Sequence, residues 1–138
     1  MRLYKVLNHT ADIKLQIFGH TEEELFQNAV LALNSVLLGG EQKIEFISQG
    51  YEKIVIKSNN SGFLLVAFLN EILTRSQINK KVYEKIKFLK FNETNLEAQI
   101  FGRNVRIFKE DIKAVTYHDV KIKRNKKGIL GTIITLDI

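Results

Sequence analysis

Three short stretches carry the residues with the most chemistry on offer. They are Asn8-His9-Thr10-Ala11-Asp12, Lys113-Ala114-Val115-Thr116-Tyr117-His118-Asp119, and the final pair Asp137-Ile138. The first sets an amide, an imidazole, a hydroxyl and a carboxylate side by side, directly before the alternating run Ile13 to Gly19. Polar clusters of this kind commonly cap a helix. Here a strand follows, so the Asp12 carboxylate needs another use. Each candidate also has a plain structural role open to it. His9 could bond neighbouring backbone at a strand junction, and Thr10 could form a hydroxyl-to-backbone turn. Lys113 could be a solvated strand lysine, Tyr117 with His118 an amphipathic edge, and Asp137 an exposed acid. No better-known signature competes with them: the sequence has no Gly-rich phosphate loop, no HExxH, no GxSxG and no EF-hand loop. It also has no cysteine, which excludes disulfides, thiolate metal sites and cysteine nucleophiles.

The elements that must position these residues follow from periodicity. Arg2 to Leu7 and Asp12 to Gly19 flank the first polar cluster, and the second run alternates Ile13, Leu15 and Ile17 against Lys14, Gln16 and Phe18. Thr21 with Glu24 three residues on predicts a helix start. Leu25, Phe26, Ala29, Val30, Leu33, Val36 and Leu37 then form one apolar face, ended by Gly39-Gly40. Lys43 to Ser48 and Tyr51 to Ser58 read as a hairpin about Gln49-Gly50. A second helix is expected after Asn60-Ser61, carrying Leu64, Leu65, Phe68, Leu69, Ile72 and Leu73, with Asn70 and Glu71 as polar exceptions. Strands at Tyr83 to Phe91, Asn95 to Arg103, Ile112 to Lys123 and Ile129 to Ile138 complete the chain, with turns at Asn92-Glu93-Thr94 and Asn125 to Gly128. The order ββαββα followed by antiparallel strands predicts an α+β fold, two helices packed on a mixed or antiparallel sheet. No linker or low-complexity tract divides residues 1–138, so a single domain is expected.

Composition fits that reading. The chain has 138 residues, 45% hydrophobic and 26% charged, the balance of a folded domain rather than a disordered one. Its opening residues hold no signal-peptide core, and no apolar run approaches the roughly 20 residues that span a bilayer. A cytoplasmic protein without a membrane association is expected. The net charge of +6 admits nucleic acid as a partner through counterion release. The densest basic run, Lys121 to Gly128, reads as a strand end and hairpin turn rather than a recognition helix.

Taken together, the motifs point further. His9-Thr10-Ala11-Asp12 precedes an alternating strand, and Thr21-Glu22-Glu23-Glu24 opens a helix. Leu69-Asn70-Glu71-Ile72-Leu73 lies on the next helix, Ile112 to His118 reads IKAVTYH, and the sequence closes on Leu136-Asp137-Ile138. In this order, over essentially the whole chain, they resemble the archease family. The resemblance implies a non-enzymatic protein cofactor of the GTP-dependent tRNA-splicing RNA ligase, promoting guanylylation of the ligase's active-site histidine and repeated turnover. Matched position by position, it assigns ligase activation to Asp12, Lys113 and Asp137. It also implies a divalent metal, typically calcium, held by Asp12, Asp137 and Ile138. His9, Thr10, Tyr117 and His118 take supporting places. Three departures stand out. Asn8 occupies a position where the family commonly has an acid, which lowers the negative charge of the site. Tryptophan is absent near Ala67-Phe68. The stretch Gly102 to Asp111 is short, with Arg103 where an acid is common.

The residues themselves agree on the class of metal. An all-oxygen, anionic set suits Ca²⁺ or Mg²⁺ over zinc or copper. The competing arrangement is a carboxylate–lysine network in which Lys113 alone offsets the acids. Two other functions stay open at this stage. One is an RNA-binding chaperone modulating a tRNA-modifying enzyme, with weak RNA contact through the basic surface. The other is a metal-dependent hydrolase, for which no general base or substrate pocket is recognisable.

Overall fold

The computed structural model describes residues 2–7, 12–40, 50–118 and 120–138. The first strand of the expected 43–58 hairpin lies outside them. Strands β1 (Tyr4–Leu7) and β2 (Asp12–Gly19) precede helix α1 (Glu22–Leu38), and strand β3 (Glu52–Lys57) precedes helix α2 (Ser61–Asn79). The chain continues through β4 (Lys81–Phe91), β5 (Asn95–Asn104), β6 (Ala114–Val115), β7 (Lys123–Arg124) and β8 (Leu130–Asp137). The strands form two sheets. The larger runs β1-β2-β8-β6 with β7 also on β8, and the smaller runs β3-β5-β4. Every pairing between the described strands is antiparallel, so of the expected mixed or antiparallel sheet only the antiparallel alternative is seen.

Local chemistry sets the helix boundaries. The Thr21 hydroxyl accepts from the Glu24 N–H at 3.1 Å, as the capping pattern predicts. Glu24 returns its carboxylate to His20, meeting its N–H at 3.3 Å and its ring Nδ1 at 3.1 Å, one residue earlier than a standard capping box. Gly39, at φ 74°, ends α1 in the left-handed conformation that glycine adopts without a Cβ clash. Asn60 starts α2 by accepting from the Phe63 N–H at 2.9 Å.

Period-2 alternation places Leu15 and Ile17 of β2 and Ile134 and Leu136 of β8 in the core. Phe26, Leu33, Phe68 and Ile72 of the helices fill it with Ile54, Leu96 and Ile100 of the small sheet, so one hydrophobic cluster serves both sheets. Burying side chains of this size gives about 1.5–3 kcal/mol each.

The structure departs from expectation at 112–123. The described residues of that stretch form no continuous strand: among them, ladder pairing with β8 is confined to Ala114–Val115 and Lys123–Arg124. Amide side chains supply bonds where ladders stop or break. The β4–β5 register shifts between Tyr83 and Lys85. Asn34 donates to the Tyr83 carbonyl at 3.0 Å and Gln27 to the Glu84 carbonyl at 3.2 Å, both from α1. A bulge exposes backbone groups that the ladder no longer serves, and these amides meet them. Arg103 pairs with the Glu84 carboxylate inside this sheet, both side chains largely buried. Arg103 thus serves the fold as half of an ion pair.

Candidate functional site

The β2–β8 register sets Asp12 directly opposite Asp137, and the β6–β8 register sets Ala114 opposite Asp137 from the other side. Directly opposed residues share a sheet face, with Cβ atoms about 4.5–5.5 Å apart. The face follows from the core alternation: Ile13 pairs with Leu136, which is buried, so Asp12 and Asp137 stand on the opposite, outer face. Asp12 is half-buried and Asp137 exposed. Lys113 is exposed too, and its N–H donates to the Asp137 carbonyl at 2.7 Å. Residues 113 and 137, each more than a hundred positions from Asp12 in sequence, thus meet it at one end of the large sheet. His9 and Thr10 lie outside the described residues.

Like charges directly opposed across a strand pair are destabilising. Two facing aspartates are therefore expected only where something positive offsets them. The residues present fit a hard divalent cation, because the Asp12 and Asp137 carboxylates and the main-chain oxygens of Ile138 are hard oxygen donors. Among the described residues, no group of three His, Cys, Asp or Glu side chains forms a metal set, so a cation here would need a further ligand such as that main chain.

A stripe of α2 carries the strand that presents Lys113. Phe63, Asn70 and Gln77 recur every seven residues, two helical turns apart, and so share one face. Gln77 donates to the Ile112 carbonyl at 2.7 Å. The Asn70 amide donates to the Val115 carbonyl and accepts from the Val115 N–H, both at 2.8 Å. Phe63 meets Tyr117 edge to face, ring centroids 5.7 Å apart. Residues 112–117 run along the helix like a strand hydrogen-bonded to side chains instead of backbone. The edge of β6 that β8 does not cover is closed this way. Gly62 completes the row: a Cβ there would lie 2.6 Å from the Val120 carbonyl oxygen, so only glycine lets the chain pass so close.

Tyr117 is therefore half exposed and turned to Phe63, while the His118 N–H bonds the Thr116 hydroxyl at 3.4 Å. Of the supporting residues anticipated from sequence, Tyr117 packs on α2 beside the trio rather than within it. Asn70, Gln77 and Gly62 were missed as positioning residues. An amide interrupting an apolar helix face, repeated at heptad spacing, is the signal that marks the first two. The other polar exception, Glu71, binds Arg75 at 3.1 Å, and Arg75 reaches the Lys53 carbonyl at 3.1 Å, tying α2 to β3.

Comparison with known proteins follows the same lines. A family model described as the Archease protein family (MTH1598/TM1083) matches residues 4–138. "Protein archease" of Methanosarcina barkeri is 35% identical, with 95% of this chain and 93% of that protein covered. "Protein archease" of Pyrococcus furiosus is 32% identical, over 93% of each. The solution structure of Methanobacterium thermoautotrophicum protein 1598 superposes with a TM-score of 0.76 at 24% identity, covering all of both chains. The crystal structure of an archease from Thermotoga maritima, titled a possible chaperone, gives a TM-score of 0.60 at 24% identity, covering all of this chain and 98% of that one.

Proposed function

This chain belongs to the archease family, and from that premise we propose that it is a protein cofactor of the GTP-dependent tRNA-splicing RNA ligase. In this role it promotes guanylylation of the ligase's active-site histidine and multiple turnover, and is not itself the catalyst. The observation that carries the reading is the convergence of Asp12, Asp137 and Lys113 at one sheet end, fixed by strand register and one 2.7 Å backbone bond.

Asp12, Asp137 and the main-chain oxygens of Ile138 would hold a divalent cation, calcium or magnesium, which would supply a concentrated positive charge at the contact with the ligase. The protein's own residues do the rest. Strand pairing holds the two carboxylates in place before any partner arrives, so little ordering entropy is spent on binding. Lys113, exposed beside them, offers an ammonium to anionic groups of the ligase–GTP complex. The α2 stripe keeps the Lys113 strand in register with β8. The docking face thus carries both signs of charge at one sheet end, a pattern that selects orientation as well as partner.

Multiple-turnover ligation by the cognate ligase tests this. A tenth of an equivalent of this protein should raise the number of turnovers under GTP, and this protein alone should ligate nothing. Unchanged ligase turnover would refute the proposal.

A further inference from the structure

The outer face of the large sheet has two ends of opposite character. Asp12 and Asp137 mark one. At the other, Arg2, Lys126 and Lys127 line a cavity of about 580 Å³ whose apolar wall is Phe18 and Ile129. Beside it, Lys121 and Lys123 line a second hollow of about 300 Å³ with Gln16 and Ile133. The two adjoin across the Phe18–Gly131 pair of the β2–β8 ladder, where a Cβ on Gly131 would sit 3.7 Å from the Phe18 ring. Among the described residues, no carboxylate lines either hollow. The hairpin carrying Lys126 and Lys127 is itself well fixed. The Asn125 side chain accepts from the N–H groups of Lys127 at 2.8 Å and Ile129 at 3.0 Å, and Arg124 bonds the Gly128 carbonyl.

We propose that this basic end binds single-stranded RNA, its phosphates along Arg2, Lys126, Lys127 and Lys123 and a base stacked against Phe18. A groove that joins clustered cations to an aromatic platform is the chemistry that takes unpaired nucleic acid without reading its sequence. A duplex hides its base faces and would leave Phe18 unused. An acidic peptide would use the cations but not the ring. The choice of RNA over DNA rests on the proposed role with an RNA ligase. Six residues of β8 separate Gly131 from Asp137, about 20 Å. RNA held at the basic end therefore lies within reach of a ligase docked at the acidic end.

Fluorescence anisotropy with a labelled single-stranded 12-mer RNA and the isolated protein decides the matter without the ligase. Affinity should fall with salt from 50 to 200 mM, with a log–log slope of about −3 if four phosphates are neutralised. The double variant Lys126→Gln/Lys127→Gln should shrink that slope by about 1.4, at 0.7 per lost contact. Phe18→Leu should weaken binding at least fivefold with the slope unchanged, circular dichroism confirming the fold. The charge-matched control Lys57→Gln/Lys87→Gln, on the small sheet, should bind like the parent protein. Equal losses in both double variants would overturn the site, as would a preference for duplex RNA or equal binding to phosphatidylserine vesicles. Ligase activation on a trinucleotide substrate too short to span the face reports the proposed function separately. If it persists while 12-mer binding is absent, the RNA site is wrong and the cofactor role stands.

Discussion

Asn70→Ala should loosen the strand that carries Lys113 while leaving the core standing. Val115 is 2% exposed, and its N–H and carbonyl each meet the Asn70 side chain at 2.8 Å. Truncation strands both backbone groups, at about 1–3 kcal/mol each when no substitute partner arrives. Asn70 is only half-buried, so water can reach part of the vacated space. The lower end, about 2 kcal/mol in total, is the figure the geometry supports. If segment 112–118 opens locally, that energy multiplies its open population by about 30, at 1.4 kcal/mol per decade. Amide hydrogen exchange reads it directly: the Val115 amide should exchange about 30-fold faster, with helix amides such as Phe68 little changed. Asn70→Asp, ionised, can accept from the Val115 N–H but cannot donate to the carbonyl, so its exchange should fall between parent and alanine variants. Ligase activation should drop in the same order. Val115 protection within threefold of the parent in Asn70→Ala would refute the clamp.

Other expectations can be checked alongside. Asp12→Ala should lower calcium affinity and ligase activation together, whereas Lys113→Ala should lose activation with calcium binding kept or tightened, because a nearby positive charge is gone; calorimetric titration separates the two. Gly62→Ala should gain less than about 1 kcal/mol of helix propensity but lose about 1–3 kcal/mol to overpacking on the Val120 carbonyl, lowering the melting temperature and activation together. Burial, with the Glu52 carboxylate beside it, raises the Tyr83 hydroxyl to about 12. Its protonated form is thus favoured in the fold, and the stability this gives is present below pH 10 and lost as pH rises toward 12; urea midpoints measured across that range should fall, and Tyr83→Phe should flatten the fall.

Much of the fold was legible because its signals are local. Thr21 and Glu24 mark the α1 start, Gly39 its end, and the Ile13-Leu15-Ile17 alternation names the buried face of β2. The stretch 112–123 misled because Val115 with Tyr117, and Val120 with Ile122, alternate like strand residues. What interrupts that strand is tertiary: Asn70 and Phe63 of α2 compete for its backbone and side chains, and no local propensity records them. The register of Asp12 on Asp137 was equally invisible, since β2 and β8 lie more than a hundred residues apart and pair through the core pattern of both. The motif order linked residues 12, 113 and 137 before any geometry did. Residues such as Asn34 and Gln27 read as surface amides on a helix, and only the β4 bulge explains them.

The central claim is that Asp12, Lys113 and Asp137 act as one group on the ligase's own nucleotidyl transfer. Guanylylated ligase can be counted directly, with α-labelled GTP, in single turnover and without RNA. This protein should accelerate formation of the labelled ligase. Asp12→Ala, Lys113→Ala and Asp137→Ala should each reduce the acceleration by tenfold or more, and the triple variant should be scarcely worse than any single one. Acceleration that survives all three substitutions, or three modest losses that multiply as independent effects do, would contradict a shared site.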